Sequence, residues 1–145
     1  MTNNSNGTAA IGRVLIAILF LLSGVGKIAA PDATQGYIAA MGVPAPMLAY
    51  LGSTLIEVGG SLLLILGYRV RSVAAALAGF TLATAFLFHN NLADQNTMIH
   101  FFKNIAITGG LLQIVAYGAG AFSLDARRAR RATANASGQT NPLSA

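Results

Sequence analysis

The chain has 145 residues, of which 54% are hydrophobic and only 9% are charged, and its formal net charge is +5. A soluble domain carries about 25% charged residues, so this chain has too few charges to cover a water-facing surface. It contains no cysteine, which excludes a disulfide, an iron–sulfur cluster and a thiolate metal site. We therefore expect a protein whose surface faces lipid.

Four long apolar segments carry most of the hydrophobic residues, and they lie at 11–30, 46–67, 72–88 and 101–122. A helix needs about 17–25 residues to cross the hydrocarbon core of a bilayer. The apolar residues form continuous blocks, whereas the helices of soluble proteins show them at amphipathic spacing. The sequence therefore predicts an all-α fold, an integral membrane four-helix bundle over residues 11–122.

Both ends of the chain are polar. Residues 1–10 lack a periodic apolar pattern, which predicts a disordered leader. Residues 123–145 contain the basic run DARRARR from Asp125 and continue with small polar residues, which predicts a basic and then disordered tail. We expect the basic run to be held by anionic lipid headgroups, and we expect no nucleic-acid partner.

The arginines cluster at three places along the chain, each at an end of an apolar segment. Arg13 opens the first segment, Arg69 and Arg71 lie in the second connection, and four arginines follow the last segment. Positively charged residues accumulate on the cytoplasmic side of membrane proteins. The pattern predicts a protein of the cell (inner) membrane with both termini in the cytoplasm.

The first outer connection is more than a linker. Tyr37, Ile38 and Met41 give it an apolar side, and Gly42 and Pro44 end the pattern. This predicts a short helix that lies flat at the outer membrane interface.

Two ionisable residues, Glu57 and Lys103, lie within apolar segments. A charge at the bilayer centre costs about 2.5–3.5 kcal/mol on insertion scales, so it needs a partner or a function. Alignment of the glycine pairs Gly59–Gly60 and Gly109–Gly110 places Lys103 about one helical turn outward of Glu57. We predict a Glu57–Lys103 ion pair, and we expect all four glycines to let helices pack closely.

Further polar residues fall in the same outer half of the predicted bundle. Ser53 shares a helix face with Glu57, while Lys27, His89 and His100 lie near the outer ends of their segments. We expect a polar seam that opens to the outside and can hold a small hydrophobic ligand with a polar head. The chain contains no metal-ligand spacing, so we expect no metal site.

Three motifs resemble the DoxX family of small four-helix membrane proteins. They are Arg13 followed by FLLSGVGKI, the mid-helix run LIEVGGSLLLILGYRVR, and HFFKNIAITGGLLQ. The resemblance extends from about Arg13 to Phe122. The family pattern matches the following positions: Arg13, Ser23, Gly24, Lys27, Glu57, Gly59, Gly60, Lys103, Asn104, Gly109 and Gly110.

The resemblance implies a link to quinones. The family takes its name from a subunit associated with a terminal quinol oxidase and with thiosulfate:quinone oxidoreduction, and bacterial relatives are linked to quinone stress and to membrane oxidoreductase complexes. It favours a quinone-linked oxidoreductase component that has no intrinsic cofactor and binds a quinone or quinol. In this hypothesis Glu57 and Lys103 handle protons, and four residues contact the ligand: Lys27, Ser53, His100 and Asn104.

A non-enzymatic role is the alternative hypothesis. Here the chain is a scaffold that binds lipids or protein partners, and the Glu57–Lys103 pair only fixes helix register. The partners under the two hypotheses are membrane lipids, a quinone, oxidoreductase subunits or a second copy of the chain. A third hypothesis is a transporter. It would require a dimer, because four helices are few for alternating access.

Overall fold

The structure is a computed structural model in which residues 3–139 are described, with side chains from 6 to 136. All secondary-structure elements in this part of the chain are helices. The elements are α1 (Asn3–Ala29), α2 (Pro31–Ala40), α3 (Pro46–Leu66), α4 (Val70–Phe88), α5 (Gln95–Tyr117) and α6 (Leu124–Gln139).

Four of these helices, namely α1, α3, α4 and α5, are long and apolar enough to cross a membrane. They confirm the predicted four-helix membrane bundle. The last span differs from the prediction, because it begins at Gln95 and ends at Tyr117. Gly118 and Gly120 have positive φ angles and turn the chain away from the helix axis before Phe122.

The four spanning helices run alternately up and down, and they pack in two close pairs. Helix α1 packs on α3 and helix α4 packs on α5, with α3 also contacting α4. Leu64, Leu77 and Leu111 are fully buried at the centre of the bundle. Large apolar side chains elsewhere on the helices are exposed, as expected where lipid covers the surface.

The connection between α3 and α4 is a tight turn. Gly67 adopts a left-handed conformation with φ of 70°, and the amide of Tyr68 donates to the carbonyl of Leu63. This pairing satisfies the free carbonyls at the end of α3. Only two residues, Tyr68 and Arg69, separate Gly67 from the first residue of α4, so the two helices form an antiparallel hairpin.

Helix α2 is the predicted short helix of the first outer connection. It begins with Pro31 and ends before Gly42, whose φ of 73° stops the helix. Ile38 is buried, and the ring of Tyr37 stacks on Phe88 at 5.7 Å between centroids. Helix α2 therefore covers one end of the bundle, which we call the α2 end.

The two terminal segments contain more helix than the sequence predicted. Residues 3–10, expected to be disordered, form the first turns of α1. Residues 124–139, expected to be largely disordered, form α6. Alanine and arginine are both strong helix formers, and the run from Asp125 to Ala136 is rich in them. The remaining residues of both predicted segments lie outside the described part of the chain.

The opposite end of the bundle, which we call the basic end, contains all seven arginines. Arg13 is only 3% exposed; its guanidinium donates to the carbonyl of Ala119, and to that of Phe122 at 2.8 Å. Asp125 accepts hydrogen bonds from the amides of Arg69 at 2.8 Å and Val70 at 2.9 Å. The start of α6 thus caps the start of α4.

Replacement of Asp125 by Ala should lower the free energy of unfolding by about 1–2 kcal/mol, because two amides at the start of α4 lose their acceptor. Thermal unfolding of the detergent-purified protein measures the change. Asp125→Asn should lose less, since its amide oxygen still accepts. Asp32→Ala is a matched control, because the N-terminus of α2 has no side-chain cap. Unchanged melting of Asp125→Ala would contradict the capping role.

Candidate functional site

A short ion pair joins α1 to α3 in the half of the bundle nearest α2. The Nζ of Lys27 lies 2.5 Å from Oε2 of Glu57. The hydroxyl of Ser23 donates to Oε1 of the same carboxylate at 3.2 Å, and Lys27 also donates to Ser23 at 3.1 Å. The side chain of Glu57 is 6% exposed and that of Lys27 is 23% exposed. Both carboxylate oxygens are therefore hydrogen-bonded.

Gly24 makes this contact possible. A Cβ placed there would lie 2.6 Å from Cγ2 of Val58 and 3.3 Å from Cβ of Glu57. Real Cβ atoms do not approach other atoms as closely as 2.6 Å, so only glycine lets α1 come this near to α3. The motif from Ser23 to Lys27 therefore supplies the close approach, the hydroxyl and the ammonium group within about one helical turn.

The predicted Glu57–Lys103 ion pair is not formed. The Nζ of Lys103 lies 2.9 Å from Nδ1 of His100, one turn away on α5. The alignment of the two glycine pairs predicted the relative depths of residues on α3 and α5. However, α3 packs on α1 and α4, while α5 packs mainly on α4. Lys27 is therefore the lysine that lies next to Glu57.

Only half of the predicted packing glycines contact another helix. A Cβ at Gly60 would lie 3.1 Å from Leu77, and one at Gly110 would lie 3.1 Å from Ile16. At Gly59 and Gly109 no atom of the described residues lies within 4 Å of such a Cβ, so their packing role stays a prediction. Consecutive residues point about 100° apart on a helix, so one member of each pair faces away.

A cavity of about 600 Å³ lies between the α1–α3 pair and the α4–α5 pair, at the α2 end. All five of these helices contribute to its wall. Its polar wall residues are Ser23, Lys27, Thr34, Tyr37, Ser53, Glu57, Thr81, Thr84, His89, Lys103 and Asn104. Its apolar wall includes Leu19, Phe20, Ile38, Ile56, Phe80, Leu87, Phe88 and Ile107. The polar seam expected from the sequence corresponds to this cavity.

The cavity brings together five of the six residues predicted to handle protons or contact a ligand. Glu57, Lys103, Lys27, Ser53 and Asn104 all line it. The sixth, His100, does not line the cavity but lies beside it, in contact with Lys103 and with the ring of His89. Ser23, which the sequence singled out only through the family pattern, is the direct partner of the carboxylate.

His89, His100 and Lys103 form a cluster where the cavity wall reaches the end of α4. The rings of His89 and His100 stack at 5.2 Å with an interplanar angle of 23°. Burial lowers the pKa of His89, and the neighbouring His100 and Lys103 lower it further. His89 therefore favours the neutral imidazole, which can accept or donate a hydrogen bond.

The polar groups of the cavity can perform two tasks. Lys27, Lys103 and Asn104 supply donors for the oxygen atoms of a ligand, and Glu57 supplies a proton acceptor. The apolar residues of the wall can hold a hydrocarbon body. Among residues 6–136, no three His, Cys, Asp or Glu side chains come together to hold a metal ion.

Substitution of Gly24 by Ala should destabilise the bundle by about 1–3 kcal/mol, because the new methyl group must push α1 away from Val58. Thermal unfolding in detergent reports the loss. Gly26→Ala is the matched control, since no atom lies within 4 Å of a Cβ there and alanine is the better helix former. Similar destabilisation of both variants would contradict the close approach of α1 and α3 at Gly24.

Comparison with known proteins identifies the family of the chain and agrees with a location in the membrane. The DoxX family model matches residues 8–90. The inner membrane protein YqjF of Escherichia coli K12 is 45% identical over 115 residues, which cover 79% of this chain and 87% of that protein. The inner membrane protein YphA of the same organism is 35% identical over 122 residues, covering 81% and 87%. No solved structure matches the chain. The chain belongs to the DoxX family.

Proposed function

We propose that the chain is an inner-membrane component of a quinone-linked oxidoreductase, and that it binds a quinone or quinol in the cavity at the α2 end. The observation that carries this proposal is the position of the Lys27–Glu57 pair on the wall of an otherwise largely apolar cavity. An ion pair that served packing alone would not need such a space beside it. The family resemblance favours the same ligand class.

The size of the cavity suits this ligand. Small-molecule sites have volumes of about 300–1,000 Å³ and apolar walls with a few placed polar groups. At about 600 Å³ the cavity can hold a substituted quinone ring with part of its hydrocarbon tail. Phe20, Phe80 and Phe88 offer aromatic surface for the ring.

The polar residues on the wall explain how the head group would be held. The ammonium of Lys27 and the amide of Asn104 lie on different helices, α1 and α5, and both can donate to ring oxygens. Glu57 can accept a proton from a ring hydroxyl, and Lys27 lies 2.5 Å from its carboxylate, on the same wall of the cavity. When bound, a quinol would supply two-electron chemistry: Glu57 would accept one of its two protons, the other would leave to the aqueous side, and both electrons would pass from the ring to an acceptor in a partner subunit, while this chain binds and orients the ring.

The orientation in the membrane is part of the proposal. All seven arginines lie at the basic end, and both lysines lie in the other half of the bundle. Since positive charge accumulates on the cytoplasmic side, the basic end and both termini face the cytoplasm. The cavity and α2 then lie in the outer half of the inner membrane. The relatives in Escherichia coli, which are named inner membrane proteins, support the inner membrane as the location but carry no information on orientation.

Mass spectrometry of the quinones that co-purify with the protein tests the proposal. The wild-type protein should retain quinone at a stoichiometric ratio, and Glu57→Gln should retain about tenfold less, because one charged hydrogen-bond partner is lost. Thermal unfolding of each sample verifies that the protein is folded. The same measurement on Lys103→Gln shows how much of the retained quinone depends on the lysine that is not paired with Glu57.

The double variant Lys27→Leu/Glu57→Leu separates the two hypotheses for the ion pair. Removal of one partner of a buried pair costs about 3–5 kcal/mol, whereas removal of both is often close to neutral. We expect the double variant to fold and to lack quinone. A folded double variant that supports the quinol-oxidising activity of cell membranes as well as the wild type does would favour the scaffold hypothesis. Folded wild-type protein that retains only bulk lipid would also overturn the quinone proposal.

A further inference from the structure

The charges of the protein are strongly separated along the bundle axis. The basic end holds all seven arginines and a single acid, Asp125. The other half holds both lysines and the remaining three acids. The positive charge of this chain is therefore concentrated in one place rather than spread over the surface.

A second cavity, of about 540 Å³, opens at the basic end between the α3–α4 turn and the α5–α6 connection. We call it the arginine cleft. Its polar wall consists of Arg69, Arg71, Ser72, Tyr117, Ser123 and Asp125. The rest of the wall is made of glycine and alanine, which leave room for a group outside the protein.

The arginines of the cleft have no carboxylate partner. Among residues 6–136 the only ion pair within 4 Å is that between Lys27 and Glu57, in the other half of the bundle. The carboxylate of Asp125 accepts from the backbone amides of Arg69 and Val70, so it serves as a helix cap. The guanidinium of Arg71 lies against the backbone of Gly118, where a Cβ would be 3.3 Å from its Nε. Glycine at this position thus makes room for the arginine at the edge of the cleft.

We propose that the arginine cleft binds the phosphate group of an anionic phospholipid, with Arg69 and Arg71 as its main donors. Guanidinium groups donate to phosphate oxygens in a bidentate manner. Ser72, in the first turn of α4, adds a hydroxyl, and the positive end of the α4 dipole favours an anion nearby. The carboxylate of Asp125 on the cleft wall is held by two backbone amides, so a phosphate would supply an anionic partner for the guanidinium groups of Arg69 and Arg71.

The position of the cleft favours a lipid over a soluble phosphate compound. The cleft lies where three spanning helices begin or end, at Leu66, Val70 and Tyr117. Tyr117 is 71% exposed and lines the cleft, and Phe122 is 62% exposed in the connection that follows. Exposed tyrosine residues at the ends of spanning helices lie at the headgroup level of a bilayer. A lipid in the cleft would keep its acyl chains beside these two rings.

Nanodiscs allow a direct test of this site. The full-length protein is placed in phosphatidylcholine discs with or without phosphatidylglycerol, and native mass spectrometry counts the phosphatidylglycerol molecules that remain bound. We expect retained phosphatidylglycerol on the wild type. Arg69→Gln/Arg71→Gln should bind it at least about tenfold more weakly, since each basic residue contributes to headgroup attraction.

The control variant is Arg130→Gln/Arg131→Gln, which removes the same charge from exposed positions of α6 outside the cleft. It should retain phosphatidylglycerol like the wild type. Equal losses from both double variants would overturn the proposal, because attraction to the general positive charge would then account for binding. Full retention by Arg69→Gln/Arg71→Gln would overturn it as well.

Two further measurements keep the result interpretable. Thermal unfolding in discs of phosphatidylcholine alone verifies that each variant is folded. If the double variant does not fold, Arg71→Gln alone is used, and its unchanged lipid retention would overturn the proposal.

Inorganic phosphate is added in a parallel arm. If inorganic phosphate raises the melting temperature of the wild type as much as phosphatidylglycerol does, the ligand is a soluble anion and the lipid proposal is overturned.

Discussion

The contact between Lys27 and Glu57 is the constraint on which the architecture of this protein depends. A carboxylate in the middle of a spanning helix needs a partner, and here it receives an ammonium group at 2.5 Å and a hydroxyl at 3.2 Å. Both donors come from α1, so the pair fixes the register between α1 and α3. Gly24 permits the close approach that this register requires.

The tight packing of α1 on α3, matched by the packing of α4 on α5, leaves space between the two pairs near α2. Helix α2 covers that space through Ile38 and the Tyr37–Phe88 stack. At the other end, Arg13 and Asp125 hold the chain connections together, and there Arg69 and Arg71 line a second cleft. One end of the bundle is thus suited to a ligand with a hydrocarbon body, and the other to the headgroup region.

Hydrophobic blocks of membrane-span length were sufficient to predict the four spanning helices, and turn residues such as Gly42 predicted α2. The partner of Glu57 was predicted incorrectly, because relative depth along a helix does not say which helices are neighbours. Lys27 was assigned to the same cavity but not to the ion pair. Of each glycine pair, only Gly60 and Gly110 face a neighbouring helix of the chain, because adjacent residues of a helix point in different directions. The end of α5 depended on the φ angles of Gly118 and Gly120, which composition does not reveal.

Photoaffinity labelling with an azido-quinone in native membranes is the most direct test of the central claim, which is that the ion pair lies on the wall of a quinone site. Mass spectrometry of the labelled peptides locates the adduct. The account predicts that adducts form on cavity residues such as Ser53 and Asn104, and that unlabelled quinone competes with them. Adducts confined to lipid-facing residues such as Leu15 and Leu112, without competition, would contradict it.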